Sequence, residues 1–329
     1  MANLLIKKIS GKSYFYLDKN IRLGEGNWKK VSVYFGPKKP SKKEIAAAKK
    51  TIEKKAKTAV SDFYAKRLEN FKFSILSKGQ LGEAERLREN FQKRFKRLDA
   101  KKKEKFQKRQ IINFVYTTLR TEGIDVDMSD VETAYAELGK KNPAMTMDEK
   151  LIISSSMITG FNFLPKIKMT LEDILKLHGI VMSTFESDSP GQIRDDQRII
   201  AKVNPKTGER EEIGYRQPEP AQIRPELEKF FTWLGENKDT HPLELSALIH
   251  LKIYRIHPFK DGNKRMSRLL FNKVLLDGDY PILNISKDTK EYFTALVESV
   301  ESNNDRPFVV FCYKTFLKQI KNRFLKNKQ

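Results

Sequence analysis

His257-Pro258-Phe259-Lys260-Asp261-Gly262-Asn263-Lys264-Arg265 is the stretch around which the rest of the chain is ordered. It lies between two apolar segments of helical spacing, Leu243 to Ile256 before it and Met266 to Leu276 after it. It therefore reads as a tight loop feeding the N-terminus of a helix. Such a start offers free backbone N–H groups and the positive end of the helix dipole, and favours an anion. Pro258 stops the first helix because it has no N–H and restricts the residue before it. Gly262 permits a positive φ or a close approach to a ligand. Asn263 has the chemistry of an N-cap. Arg265 and Arg268, three apart, share a face of the new helix. A histidine, the Asp261 carboxylate, an anion nest and two guanidiniums are thus brought together. These are the parts needed to handle a metal-bound polyphosphate beside a general base.

Together with Arg268, this run resembles the signature of the Fic (filamentation induced by cAMP) family. That signature is His-Pro-Phe-x-(Asp/Glu)-Gly-Asn-(Gly/Lys)-Arg with a second Arg three residues on, and every position matches. The resemblance implies a mainly α protein, a Fic-type helical core with a β-hairpin flap. It implies transfer of AMP from ATP to a Tyr, Thr or Ser hydroxyl of a target protein, the chain itself among the candidates. In that chemistry His257 is the general base, a role suited to a side chain with a near-neutral pKa. Asp261 holds Mg²⁺, which needs one protein carboxylate when phosphates and water complete its shell. Backbone N–H groups from Gly262 to Lys264, with the Asn263 side chain, cradle the α-phosphate. Arg265 and Arg268 neutralise the β- and γ-phosphates, and Phe259 packs under the loop to direct His257. Lys264 opens an alternative. The best-known AMP-transferring members have Gly there, and a branch with Lys moves a γ-phosphoryl group. That branch lacks the glycine kept here as Gly262, so adenylyl transfer leads and phosphoryl transfer is the runner-up.

Upstream, Ile111, Ile112, Phe114, Val115, Tyr116 and Leu119 form an apolar helix that ends near Gly123. Its last turn, Thr118-Leu119-Arg120-Thr121-Glu122-Gly123, is an ordinary glycine-capped C-terminus. It also resembles the inhibitory motif of the autoinhibited Fic class, (Ser/Thr)-x-x-x-Glu-(Gly/Asn). The resemblance assigns Thr118, Glu122 and Gly123 to an inhibitory helix at about 111–123. Glu122 would pair with Arg268 and withhold it from the γ-phosphate, or would orient a water for removal of AMP. Between motif and signature, the segment at about 198–216 reads as a β-hairpin with a turn at Asn204-Pro205-Lys206-Thr207-Gly208. It follows Gly191-Gln192-Ile193-Arg194 and resembles the family's flap, which would place Ile200, Val203 and Ile213 where a target segment docks by strand addition. His178, His241 and His250 lie in or at apolar helices and read as structural. No Cys/His grouping has zinc spacing.

The 329 residues are 39% hydrophobic and 32% charged, enough for two domains, or one domain with a large extension, with much solvated surface. The single cysteine, Cys312, excludes an intramolecular disulfide framework and fits a reducing cytoplasm. No signal-peptide pattern opens the chain and no stretch approaches a membrane span. Of the +22 net charge, residues 1–110 hold 32 Lys and Arg against 11 Asp and Glu, or +21, leaving the rest near neutral at +1. That asymmetry divides a basic arm from a globular unit at 111–329. Within the arm, residues 1–40 alternate as a small antiparallel β module, with runs at Tyr14–Leu17 and Val31–Phe35 and a turn at Gly24–Asn27. Residues 41–110 read as a basic helical hairpin, started by a Ser41–Glu44 capping box and turning at Lys78-Gly79-Gln80-Leu81-Gly82. Lys101-Lys102-Lys103 and its basic neighbours admit nucleic acid as a partner of residues 1–110, against the plainer reading of a solvated helix face.

Overall fold

Alternating residues between Asn3 and Gly36 build a three-stranded antiparallel sheet of β1 (Asn3–Ile9), β2 (Lys12–Arg22) and β3 (Trp28–Gly36), in that order. Leu17 faces Leu4 on one side and Val33 on the other. Residues 3–9 thus add a strand to the two runs read from the sequence, through a turn at Ser10 (φ 50) and Gly11 (φ 78). Strand side chains alternate between faces. Leu17 and Ile21 point to one face and are buried against Ala48, Ile52, Ala56 and Ala59 of α1 (Lys42–Lys66). The computed structural model describes residues 2–24, 26–138, 148–184, 189–198, 201–203, 210–212, 215–285 and 290–325.

Helix α1 starts on the expected box. The Ser41 N–H donates to the Glu44 carboxylate at 2.7 Å and the Glu44 N–H to Ser41 Oγ at 3.3 Å. The expected turn at Lys78–Gly82 is instead the first turn of α2 (Lys78–Lys96). A second reciprocal pair causes this. Ser77 N–H donates to Gln80 Oε1 at 2.8 Å and Gln80 N–H to Ser77 Oγ at 3.3 Å, which starts a helix where two glycines seemed to break one. The chain between α1 and α2 turns at Arg67–Phe71 instead. Asp99 then caps α3 (Ala100–Thr121), accepting from the Lys102 N–H at 2.8 Å. The helix expected at 111–123 is the second half of this longer element, and the charge boundary at 110 falls inside it. The composition changes there because the helix moves from a solvated face to a core, not because the chain breaks.

The chain separates into two compact units, residues 1–71 with 77–90 and residues 72–76 with 91–329. The larger one continues with α4 (Met128–Leu138), α5 (Glu149–Phe163), α6 (Leu171–Val181), α7 (Pro220–Glu236), α8 (Pro242–Ile256), α9 (Asn263–Asp277), α10 (Lys290–Glu301) and α11 (Arg306–Leu325). Helix α8 is buried on nearly every face, its polar Glu244, Ser246 and His250 included. It packs beside α9, and Ile253, Met266 and Leu269 from this pair join Phe114, Val115 and Leu119 of α3 in one core. Buried Glu244 of α8 accepts from the N–H groups of Ser74 at 2.8 Å and Leu76 at 3.0 Å. Cys312 is buried and its thiol pKa is pushed well up by burial, so it is a packing residue. Strands β4 (Ala201–Val203) and β5 (Arg210–Glu212) pair antiparallel, Val203 opposite Arg210. Ile200 and Ile213 lie outside the described residues. Among the described residues no helix is long and apolar enough to cross a membrane.

Candidate active site

Helix α8 ends at His257, whose φ of 51 and ψ of 57 place it in the left-handed region. A non-glycine residue there costs about 1–2 kcal/mol, and one buried arginine holds the turn. Arg194 Nε donates to the His257 carbonyl at 2.7 Å, its backbone N–H to the Pro258 carbonyl at 2.9 Å, and Nη2 to the Pro218 carbonyl at 2.7 Å. Burial pushes the His257 pKa down to about 4. The Tyr254 carbonyl pulls it up, and the Arg194 and Lys264 charges push it further down. The ring is therefore neutral at pH 7, the form a general base requires.

The rest of the loop is held through its backbone. Phe259 is fully buried and its ring lies flat on His178 of α6, centroids 3.7 Å apart and planes at 4°. His178 Nδ1 accepts from the Gly191 N–H at 2.9 Å. Its other nitrogen must then carry the proton, and donates to the Asp261 carbonyl at 3.1 Å. Burial drives the His178 pKa down to about 4, with the Asp261 carbonyl opposing, so this tautomer persists at neutral pH. Gly262 has φ 76, and a Cβ there would stand 2.8 Å from Met182 Sδ and 3.3 Å from His178 Nε2. Conformation and space both require glycine.

Asn263 does not cap α9; Gly262 occupies that position. The Asn263 side chain reaches back across the loop, Oδ1 accepting from the Phe259 N–H at 3.0 Å and Nδ2 donating to the Phe259 carbonyl at 2.7 Å. It shapes the anion nest but is spent on the backbone, so the α-phosphate role read from the sequence rests on the first-turn N–H groups of α9. Asp261 is half-exposed and paired with buried Arg265. Lys260 pairs with Asp195 at 3.1 Å.

Arg268, one turn into α9, is fully buried and donates to Glu122 and to the Thr118 carbonyl at 3.2 Å. Lys264 Nζ stands 4.0 Å from the other Glu122 oxygen. Burial would raise the Glu122 pKa, but the Arg268, Lys264 and Arg265 charges outweigh it and hold the carboxyl below its usual value. Burial would likewise lower the Arg268 pKa, and Glu122 holds it up. Glu122 is delivered to this place by the end of α3. Gly123 (φ 84) closes that helix, its N–H bonding to Arg120 and the Ile124 N–H to the Leu119 carbonyl at 3.1 Å, a Schellman closure that needs the left-handed glycine.

The structure thus gathers His257, Asp261, Gly262, Asn263, Lys264, Arg265, Arg268, Thr118, Glu122 and Gly123. His178 and Arg194, which hold the loop's shape, were not assigned to the site from sequence, although Gly191-Gln192-Ile193-Arg194 was the signal that contained one of them. Among the described residues no three His, Cys, Asp or Glu side chains gather as a metal cage.

A model of the Fic/DOC family matches residues 168–275, the span from before α6 through α9. The chain carries a Fic domain. The protein adenylyltransferase Fic of Aedes aegypti is 27% identical over 243 residues, 67% of this chain and 45% of that protein. Its namesake in Drosophila erecta is 29% identical over 216 residues, 62% of this chain and 40% of that protein. The chain therefore spans less than half the length of these curated relatives. Two solved structures share the fold. A Fic family protein from Desulfovibrio desulfuricans G20 has a TM-score of 0.63 at 17% identity, covering 78% of this chain and 77% of that one. Fic-1 from C. elegans has a TM-score of 0.56 at 21% identity, covering 86% and 88%.

Proposed function

We propose that this Fic domain transfers AMP from ATP to a hydroxyl of a protein target, and that Glu122 restrains the reaction. The observation that carries this reading is the seat of Arg268. The second guanidinium of the signature is buried one turn into α9 and paired with the carboxylate at the end of α3. The names of the Aedes and Drosophila relatives support the transferred group.

In this reading the triphosphate lies along the N-terminus of α9, with its outer phosphates toward Arg265 and Arg268. The target hydroxyl oxygen attacks the α-phosphorus. Its proton passes to neutral His257, and the bond from the α-phosphorus to the bridging oxygen breaks, releasing pyrophosphate. Backbone N–H groups at the helix start stabilise the charge gathering on the α-phosphate. Asp261 fits a magnesium ion, since a hard cation that keeps water and takes phosphate oxygens from substrate needs one protein carboxylate. When bound it would neutralise phosphate charge and take the place beside Asp261 that the Arg265 guanidinium now holds. The β4–β5 hairpin would receive an extended target segment by strand pairing, with Ile200, Val203 and Ile213 as its candidate side chains. While Glu122 holds Arg268, the γ-phosphate lacks that counter-charge, and the α-phosphate is not presented to His257. The same carboxylate, kept ionised, would orient a water when the site removes AMP.

The test is intact-mass spectrometry after incubation with ATP and magnesium. Glu122→Gly gains adenylyl mass on itself or an added target, the parent chain gains far less, and His257→Asn in the Glu122→Gly background gains none. A phosphoryl increment in place of an adenylyl one establishes the runner-up chemistry that Lys264 raises. Equal labelling of parent and Glu122→Gly removes the restraint.

A further inference from the structure

We propose that the open face of the N-terminal sheet binds single-stranded nucleic acid. One face of this sheet is closed by α1. The side chains of opposite parity project from the other face, and they are not the polar set that a purely solvated surface would carry. Tyr14 and Tyr16 of β2 stand beside Tyr34 of β3, with ring centroids 6.3 Å and 4.9 Å from it, and Tyr34 is 54% exposed. Further along the same face, Trp28 lies opposite Arg22 and is 64% exposed, the most open of the large apolar side chains among the described residues. The Tyr16 and Tyr34 rings, neighbours on an open sheet face with Trp28 further along it, mark an interaction surface rather than chance exposure.

The charge on this face points to the class of partner. The Lys7 ammonium lies 4.4 Å over the Tyr16 ring, and the Arg22 guanidinium 5.9 Å from the Trp28 ring. Two of the four rings, Tyr16 and Trp28, therefore have a cation beside them. Asp18, on the same face, is already paired with Lys30. Residues 1–40 contain 9 Lys and Arg against 2 Asp and Glu. A ring beside a cation is complementary to one nucleotide, with the base on the π-face and the phosphate on the charge. A duplex keeps its base faces stacked on each other and presents only phosphate and groove edges, leaving the rings without a partner. A single strand offers both parts at every residue, which is why the single strand is the occupant assigned here. This surface lies outside residues 168–275, the span that matches the Fic family.

The test uses the full chain. Fluorescence anisotropy compares labelled single-stranded DNA, single-stranded RNA and a duplex of the same sequence across a salt series. Single strands are expected to bind more tightly than the duplex. Trp28→Ala and Tyr34→Ala should each weaken single-strand binding about tenfold, and Trp28→Phe should restore most of it. Lys7→Glu should flatten the salt dependence. In a Trp233→Phe background Trp28 is the sole tryptophan, and its emission should be quenched by the bound strand. Both rings are largely exposed, so unchanged thermal midpoints in the alanine variants separate lost contacts from lost folding. Tighter duplex binding, ring variants that bind like the parent, or no binding of single strands at low salt would each overturn the proposal.

Discussion

Changing Glu122 to Gln removes one negative charge beside Arg268 while keeping side-chain volume and the glycine-closed end of α3. The Arg268 side chain is 1% exposed and that of Glu122 10% exposed, so the guanidinium is left as a buried charge without its carboxylate. Lys264, 4.0 Å from that carboxylate and one-third exposed, loses a counter-charge as well. Breaking a buried pair by removing one member costs about 3–5 kcal/mol. In a cooperative unit of this size each kcal/mol moves the melting temperature by about 2–4 °C. The nucleotide-free variant is therefore expected to melt roughly 6–12 °C below the parent, taking the lower bound of 3 kcal/mol. Adding ATP with magnesium reverses the order of response. At a hundredfold excess over Kd any ligand adds about 2.7 kcal/mol. In the variant the triphosphate also restores an anion to the empty seat, whereas in the parent it must first displace one. The ATP-induced rise should accordingly be several degrees larger in Glu122→Gln. Differential scanning calorimetry on both proteins, with and without nucleotide, reads all four midpoints. Equal midpoints without nucleotide, or equal rises with it, would show that the Glu122 charge does not govern the phosphate seat.

Two further outcomes follow from the loop's supports. The His178 pKa is about 4 in the folded chain against 6.5 when unperturbed, so below neutrality the unfolded chain takes up a proton that the folded chain refuses. Its contribution is complete above about pH 6.5 and falls by on the order of 3 kcal/mol as pH drops toward 4. The stability of His178→Gln, measured in urea between pH 7.5 and 4.5, should decline less steeply than that of the parent, and parallel slopes would exclude this role. Gly262→Ala meets both a φ of 76 and a Cβ position 2.8 Å from Met182 Sδ, and should cost about 2 kcal/mol or more in urea denaturation. Met182→Ala in the same chain relieves the collision but not the backbone strain, so recovery should be partial; full recovery, or no initial loss, contradicts the geometry.

The local half of this site could be read from sequence. Pro258 ending a helix, Gly262 in a left-handed turn, two arginines on one face of α9 and a glycine closing α3 all depend on neighbours a few residues away. The pairing of Glu122 with Arg268 crosses 146 positions, and it entered through resemblance, not through spacing. Asn263 was misread because its side chain had two legitimate uses, capping forward or bonding backward to Phe259, and the compact loop decided for the second. Lys78–Gly82 was misread because two glycines outweighed the Ser77–Gln80 pair that starts α2. His178 and Arg194 reach the loop from 83 and 63 positions away; nothing around His178 announces it, and Gly191-Gln192-Ile193-Arg194 points to a flap without showing that its arginine holds the loop. The register of β1 likewise needed the Ser10-Gly11 turn, whose first residue has no special preference for a positive φ.

The carbonyls of His257, Pro258, Phe259 and Asp261 are each gripped by groups other than the side chains of Lys260, Asp261 and Lys264. Scaffold and instrument are thereby separable. Residues at 260, 261 and 264 can be exchanged over evolutionary time without rebuilding the turn that presents them. One backbone cradle could in this way take different donors, acceptors or restraints by single substitutions while its architecture stays as it is.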